Sequence, residues 1–375
     1  FTIYLPRFDY DREAKEEIIK RIAEKGPITF AEFMEVSQTA YYSRHVQIAS
    51  RGGRNAHFTT HPEILSPEYG LCLARQLYQM WQNMGGEKRT APFAIVETGA
   101  GNGVMARDIL LAVKAYWPLF FENLQYTIVD FSERLQQRQQ QTLADVGLET
   151  RVNFVTASAV ELPLNDIEGV ILSNELVDDF PVHRVRLFGD ELKELYVTCQ
   201  NGQLAEEWGP VSSTEVNDYM DKYFELRAGY QEQYKELLRY QDLAVNLNAI
   251  KWQAAVDRAL KRGYVITIDY ATWRINDLEI SRDQRAVQLY PRVPYEKMYV
   301  TPGGLNVTST VDYTTVLQIR KDSGLRLSGA VQETSALYRL GIDDEALDHL
   351  LKFNERVNYG NDAFWVAIQV KNVPD

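Results

Sequence analysis

The sequence predicts an α/β fold, a Rossmann-like doubly wound parallel sheet with a helical segment before it and an insertion within it. Three observations carry this. From Phe93 onward, short apolar runs alternate with helical stretches, as in strand–helix–strand units around a parallel sheet. The first run leads into a turn of three glycines, Gly99, Gly101 and Gly103, and then a helix. About ninety residues between Ser173 and Tyr264 break the alternation and read as an inserted cap.

In order along the chain, Arg12 to Lys25 carries Ile18, Ile19 and Ile22 on one stripe and stops at Gly26-Pro27. Ile28 to Gln38 repeats the pattern with Phe30, Phe33 and Met34. Pro67 to Asn83 is a third helix, and its apolar face around Leu71–Met84 serves either a core or a homodimer contact. Residues 1–90 therefore form an N-terminal helical segment. Strands are expected at Phe93–Glu97, Leu124–Asp130, Val152–Thr156, Gly169–Ser173 and Tyr264–Asp269, with helices at Val104–Tyr116 and Glu133–Val146. A closing pair, Leu325–Val331 and Phe364–Val370, flanks a helix over Asp344–Val357. Residues 91–182 and 263–375 make the sheet domain. The cap, 183–262, opens with hairpin-like runs at His183–Phe188 and Leu192–Cys199 and continues as one long helical stretch from about Thr214 to Arg262. Its tyrosines at three- and four-residue spacings, from Tyr219 to Tyr234, read as cap packing, with an aromatic substrate wall as the alternative.

Composition excludes several classes. Of 375 residues, 40 are Lys or Arg and 52 Asp or Glu, a formal charge of −12, which argues against a nucleic-acid partner. The two cysteines, Cys72 and Cys199, cannot build a disulfide framework or a cysteine-rich metal site and read as free thiols of a reducing compartment. No His, Asp or Glu cluster has convincing metal-ligand spacing, and no metal is expected. The most apolar stretch, Ile109–Phe121, is interrupted by Lys114 and Pro118, so no membrane span is expected. The chain begins at Phe1 rather than Met, which suggests that a segment, and any targeting signal in it, has been removed. The expected location is cytoplasmic, with an organellar matrix as the alternative.

The glycine turn is the sharpest chemical signal. Its third glycine comes one residue early for the dinucleotide fingerprint, and the strand before it carries Glu97. An acid beside the turn repels a pyrophosphate but pairs with an ammonium. Acid-x-Gly-x-Gly-x-Gly therefore points to S-adenosylmethionine (SAM), whose amino acid end is cationic, with S-adenosylhomocysteine as the product. Asp130 ends the next strand, where a carboxylate accepts both ribose hydroxyls, or else simply caps the helix that follows. Ser158 and Ala159, after the third strand, offer backbone and hydroxyl groups to an adenine edge. After the fourth strand comes Asn174-Glu175, followed by Asp178 and Asp179, at the strand ends where open parallel sheets bind ligands.

FTTHPEILSPEYG (Phe58–Gly70), ETGAGNG (Glu97–Gly103), SNELVDDFPVHR (Ser173–Arg184), VITIDYA (Val265–Ala271) and NVTSTVDYT (Asn306–Thr314) occur in one order that resembles the MidA-like methyltransferases, relatives of the mitochondrial complex I assembly arginine methyltransferase. The resemblance covers most of residues 28–370. It implies a seven-stranded class I methyltransferase sheet, an N-terminal segment over the cofactor, and an acceptor site enclosed by the insertion. It implies cofactor contacts from Thr59, Thr60, Phe131 and Asn174 as well. His61 stands where the family usually has a small residue, Ala271 where it usually has glycine, and the tyrosine-rich cap is longer. These departures lie on the acceptor side.

Methyl transfer is an in-line displacement that needs a close, collinear nucleophile. A guanidinium acceptor needs carboxylates to orient it, and Glu175, Asp178 and Asp179 supply them. A hydroxyl acceptor needs a base near neutrality, for which His61 and His183 are the candidates. The leading expectation is SAM-dependent transfer to an oxygen or nitrogen of a small molecule or peptide under the cap. The alternatives are a protein arginine methyltransferase and a non-catalytic SAM-binding assembly factor with a protein partner.

Overall fold

The computed structural model describes residues 11–49, 57–272, 287–290, 294–318, 323–356 and 363–373. The chain divides into two compact units. One is drawn from Ile48–Leu176, Lys251–Ala271 and Asp322–Asp375, the other from Phe1–Gln47, Val177–Ile250 and Thr272–Lys321. The division differs from the expected segments. Residues 1–90 split at Gln47, and Thr272–Lys321 goes with 177–250.

Among its described residues, the first unit contributes seven strands to one sheet: β1 (Phe93–Thr98), β2 (Leu124–Asp130), β3 (Val152–Thr156), β4 (Ile167–Asn174), β5 (Leu260–Thr272), β6 (Arg326–Gln332) and β7 (Phe364–Lys371). Their spatial order is β3-β2-β1-β4-β5-β7-β6. The first five are parallel, and β7 runs antiparallel between β5 and β6. β1 and β4 are almost wholly buried, because helices cover both faces of a parallel sheet and the strands must be apolar on both. The strand order reverses between β1 and β4, the switch point at whose carboxyl ends such sheets bind ligands. Helix Glu68–Asn83 buries Leu73, Leu77, Met80 and Trp81 in this unit's core, so that face serves packing.

In the second unit, Ile28–Thr29, His183–Phe188, Glu191–Gln200, Gln203–Gly209 and Leu243–Val245 form an antiparallel sheet. The helix expected from Ile28 begins instead at Phe30. Ile28 and Thr29 pair with Val197 and Tyr196, and Thr29 caps the helix in a reciprocal box with Glu32. The single long helix expected from Thr214 is broken into Thr214–Glu225, Gln231–Tyr240 and Leu247–Ala259. Gly229, at φ +91°, turns the chain after the first piece, and the edge strand Leu243–Val245 separates the other two. Tyr219, Tyr223 and Tyr234 are buried in this unit, and the Arg227 guanidinium lies 3.8 Å from the Tyr223 ring centroid and 5.1 Å from that of Tyr234. This stripe is packing.

The strands Gln203–Gly209 and Leu243–Val245 and the helix Glu333–Arg339 have no counterpart in the sequence reading. Both cysteines are free, and Cys72 is buried. Among the described residues, no helix is long and apolar enough to cross a membrane. None of their His, Cys, Asp and Glu side chains group as a metal site.

Candidate active site

The glycine turn follows β1 directly, with Gly99, Gly101 and Gly103 at φ +71°, +55° and +79°. Side chains rarely adopt these angles, so the sequence of glycines is what allows the chain to reverse into helix Val104–Tyr116. At Gly101 an added Cβ would meet only the Ile48 side chain, at 3.3 Å, so the turn leaves a narrow cradle above its backbone. Asn102 closes one side, donating to the Ile48 carbonyl at 3.3 Å and to Glu63 at 2.9 Å.

Three adjacent parallel strands each end in an acid. Glu97, on β1, is buried and accepts a 2.6 Å hydrogen bond from the Tyr126 hydroxyl. Burial raises its pKa to about 7, with the charge of Asp130 adding to the effect. Asp130, the last residue of β2, accepts from the Ser132 amide and the Gln139 side chain, both at 2.9 Å. Burial raises it to about 6, against the pull of those bonds. Glu175 follows β4 at φ +47°, an uncommon conformation for a residue with a side chain, and burial raises it to about 7. None of the three forms an ion pair with Lys or Arg among the described residues. Glu63, next to the turn through Asn102, is a fourth buried acid, raised by burial to about 7.

His61 is almost fully buried. Its Nδ1 lies 2.6 Å from Glu333 and its Nε2 3.1 Å from the Asn354 side-chain oxygen, while its ring rests on Phe364 at 4.0 Å between centroids. Burial opposes its charge, but the Glu333 carboxylate and these two hydrogen bonds outweigh that, so the net shift is upward. Both ring nitrogens are engaged, by Glu333 and by Asn354. The Tyr69 hydroxyl donates to Glu333 at 2.7 Å and lies 3.0 Å from the Asn174 side-chain oxygen, Asn174 donates to Glu175 at 3.1 Å, and the Tyr270 hydroxyl reaches Glu175 at 3.3 Å.

Asp178, Asp179 and His183 belong to the other unit. Asp179 accepts from Tyr42 and from Gln38, the Asp178 carbonyl accepts from the Ser309 amide, and His183 Nδ1 sits 2.7 Å from the buried Glu194. Among the cofactor candidates, Gly99, Gly101, Gly103, Glu97, Asp130 and Asn174 all lie at the strand ends. Phe131 is exposed beside Asp130, and Ser158 and Ala159 lie in the turn after β3. Thr59 bonds the Ala49 carbonyl, and Thr60 precedes the short helix His61–Ile64. Sequence reasoning missed Glu63, Tyr69, Tyr126, Gln139, Glu333 and Asn354. Of these, only Glu63 and Tyr69 lie inside a motif already singled out.

A sheet that reverses at β1 and β4, a glycine turn after β1 and acids on three neighbouring strand ends are the framework of a class I SAM-binding methyltransferase. Residues 72–331 match the model of a family of S-adenosyl-L-methionine-dependent methyltransferases, and the chain belongs to that family. That family is the MidA-like group which the ordered motifs resemble. A Burkholderia thailandensis protein crystallised with S-adenosyl-homocysteine has the same fold, with TM-score 0.77 and 24% identity over 96% of this chain and 92% of that one. The Drosophila melanogaster protein named protein arginine methyltransferase NDUFAF7 homolog, mitochondrial, is 26% identical over 51% of this chain and 46% of its own length. The human protein arginine methyltransferase NDUFAF7, mitochondrial, is 22% identical over 90% of this chain and 75% of its own. In the first matches the chain spans somewhat less than half the length of the curated relative.

Proposed function

We propose that this methyltransferase delivers the methyl group of SAM to a guanidinium nitrogen of a protein or peptide, with Glu175 orienting the acceptor. The observation that carries the reading is the row of acids Glu97, Asp130 and Glu175 at the ends of three adjacent strands, without Lys or Arg partners among the described residues. Carboxyls raised toward neutrality by burial suit a site whose ligands bring the positive charge. The relatives' names point the same way, and a hydroxyl acceptor loses support with the engagement of both His61 nitrogens.

In this reading Glu97 pairs with the cofactor's ammonium group and Asp130 accepts its ribose hydroxyls. The cradle over Gly101, in the turn that Gly99 and Gly103 complete, admits the amino acid end. Phe131, Ser158 and Ala159 border the adenine, and Thr59, Thr60 and Asn174 complete the contacts. When bound, SAM supplies a methyl group on a positively charged sulfur that departs with its bonding pair as a neutral thioether. The chain's part is to fix the acceptor and manage its charge. Glu175 holds a guanidinium N–H so that the nitrogen lone pair faces the methyl carbon, and takes up the proton released once the N–C bond has formed. His183 Nδ1 is engaged by the Glu194 carboxylate in the other unit. The mitochondrial relatives favour an organellar matrix over the cytoplasm.

The test is incubation with methyl-tritiated SAM and a panel of arginine-containing peptides, followed by acid hydrolysis and chromatography. Label in methylarginine is expected. Label that is released by mild base, as from a methyl ester, would overturn the guanidinium acceptor.

A further inference from the structure

Six elements of the first unit meet around Glu175, and each brings a polar side chain to it or to its neighbours. His61 comes from the short helix His61–Ile64, Tyr69 from Glu68–Asn83, Asn174 from β4, Tyr270 from β5, Glu333 from Glu333–Arg339 and Asn354 from Asp344–Arg356. Tyr69, Asn174, Glu333, Asn354 and His61 are all buried. Their bonds form one chain: Asn354 to His61, His61 to Glu333 at 2.6 Å, Glu333 to Tyr69 at 2.7 Å, Tyr69 to Asn174 at 3.0 Å, and Asn174 to Glu175 at 3.1 Å. The Glu175 amide donates to the Ile268 carbonyl at 2.9 Å, which fixes its backbone in the left-handed conformation.

A buried ion pair is a poor source of stability, since well-packed apolar residues would do as well or better. Its value here is that it places opposite charges in a fixed order beside a carboxyl that needs both an orientation and a charge state. We propose that His61 and Glu333 are a positioning pair for Glu175: through Tyr69 and Asn174 they hold its carboxyl in one orientation, and their opposite charges balance each other beside it. The inference rests on the reading that Glu175 faces the methyl acceptor. The charges facing Glu175 are His61, which favours its ionised form, and Glu333, which opposes it. Removing one alone unbalances the site, and removing both restores the balance. A pair that served packing alone would show damage that adds up.

The experiment labels glutamate side-chain carboxyls with carbon-13 in the intact protein and follows the Glu175 resonance, assigned with Glu175→Gln, against pH. His61→Gln leaves Glu333 unopposed and is expected to raise the Glu175 midpoint by about one pH unit. The double variant His61→Gln/Glu333→Gln is expected to return it to within about half a unit of the starting value. Binding of S-adenosylhomocysteine, measured by calorimetry, is expected to stay within about twofold in both. If His61→Gln does not fold, Asn354→Leu frees Nε2 and is expected to move the midpoint the same way by about half a unit. An unmoved midpoint in the single variant, or a further departure in the double, overturns the proposal. Methyl transfer to acetylarginine amide is measured separately, and its absence with the midpoints moving as expected refutes the acceptor reading and leaves the pair intact.

Discussion

Replacing Glu97 with glutamine should remove the pH dependence of cofactor binding. The Glu97 carboxyl is 1% exposed, its hydrogen-bond partner is Tyr126, and burial holds it near pH 7. At pH 6 about ten of every eleven copies are protonated and at pH 8 about one in eleven. If the carboxylate receives the cofactor's ammonium, affinity should fall about fivefold between pH 8 and pH 6, or about 1 kcal/mol. The carboxylate alone would give about tenfold, and the cofactor's own amino group, with a pKa of about 8 and so half neutral at pH 8, takes back about a factor of two. Calorimetry with S-adenosylhomocysteine in two buffers of different ionisation enthalpy should show about half a proton released per molecule bound at pH 7. Glu97→Gln should bind about 10- to 150-fold more weakly at pH 8, through loss of a charge-assisted bond of about 1.5–3 kcal/mol, and its affinity should vary little from pH 6 to 7.5. Stability moves the opposite way. An acid whose pKa is raised from 4.5 to about 7 on folding disfavours the folded state as pH climbs between those values, by about 3 kcal/mol once above both. The variant should therefore melt no lower than the parent at pH 8, which separates weak binding from misfolding. A fivefold pH slope that survives in Glu97→Gln would refute the placement.

Gly101→Arg should abolish S-adenosylhomocysteine binding, since its side chain would occupy the cradle at φ +55°, and a melt within a few degrees of the parent would show that the fold persists. Asp130→Ala should weaken adenosine-containing ligands by about 10- to 100-fold in the same titration, a loss of one to three kcal/mol of hydrogen bonding to ribose. Undiminished affinity would leave Asp130 as a brace for the turn before helix Glu133–Ala144, through its bond to the Ser132 amide, Ser132 itself being the helix cap. Arg227→Met should destabilise the protein by about 3–5 kcal/mol in urea, because Asp312, bonded to the guanidinium at 2.9 Å, would be left as an uncompensated buried charge. Loss below about 1 kcal/mol would mean that Thr315 and water satisfy Asp312 without it.

The sequence determined the local grammar. Helix Arg12–Lys25, helix Val104–Tyr116 and strands Leu124–Asp130 and Val152–Thr156 lie where periodicity and stop signals put them, because apolar spacing and glycine punctuation are properties of the chain itself. The turn at Gly99–Gly103 with Glu97 beside it was legible for the same reason: positive φ requires glycine wherever the turn sits. What the sequence could not supply was distance. The apparent continuous helix after Thr214 is three helices and a strand, since heptad-like spacing of tyrosines does not register a break that pairing with His183–Val185 imposes. His61 and His183 looked like bases from their motifs, and Asp178 and Asp179 looked like companions of Glu175 for a guanidinium. Glu333 is 272 positions from His61 and lies 2.6 Å away, while the two aspartates and His183 fall in the other unit. Composition and spacing fix which groups a chain carries. Only the packing of β4, β5 and the helices around them decides which of those groups share a buried charge, and so which are free to meet a substrate.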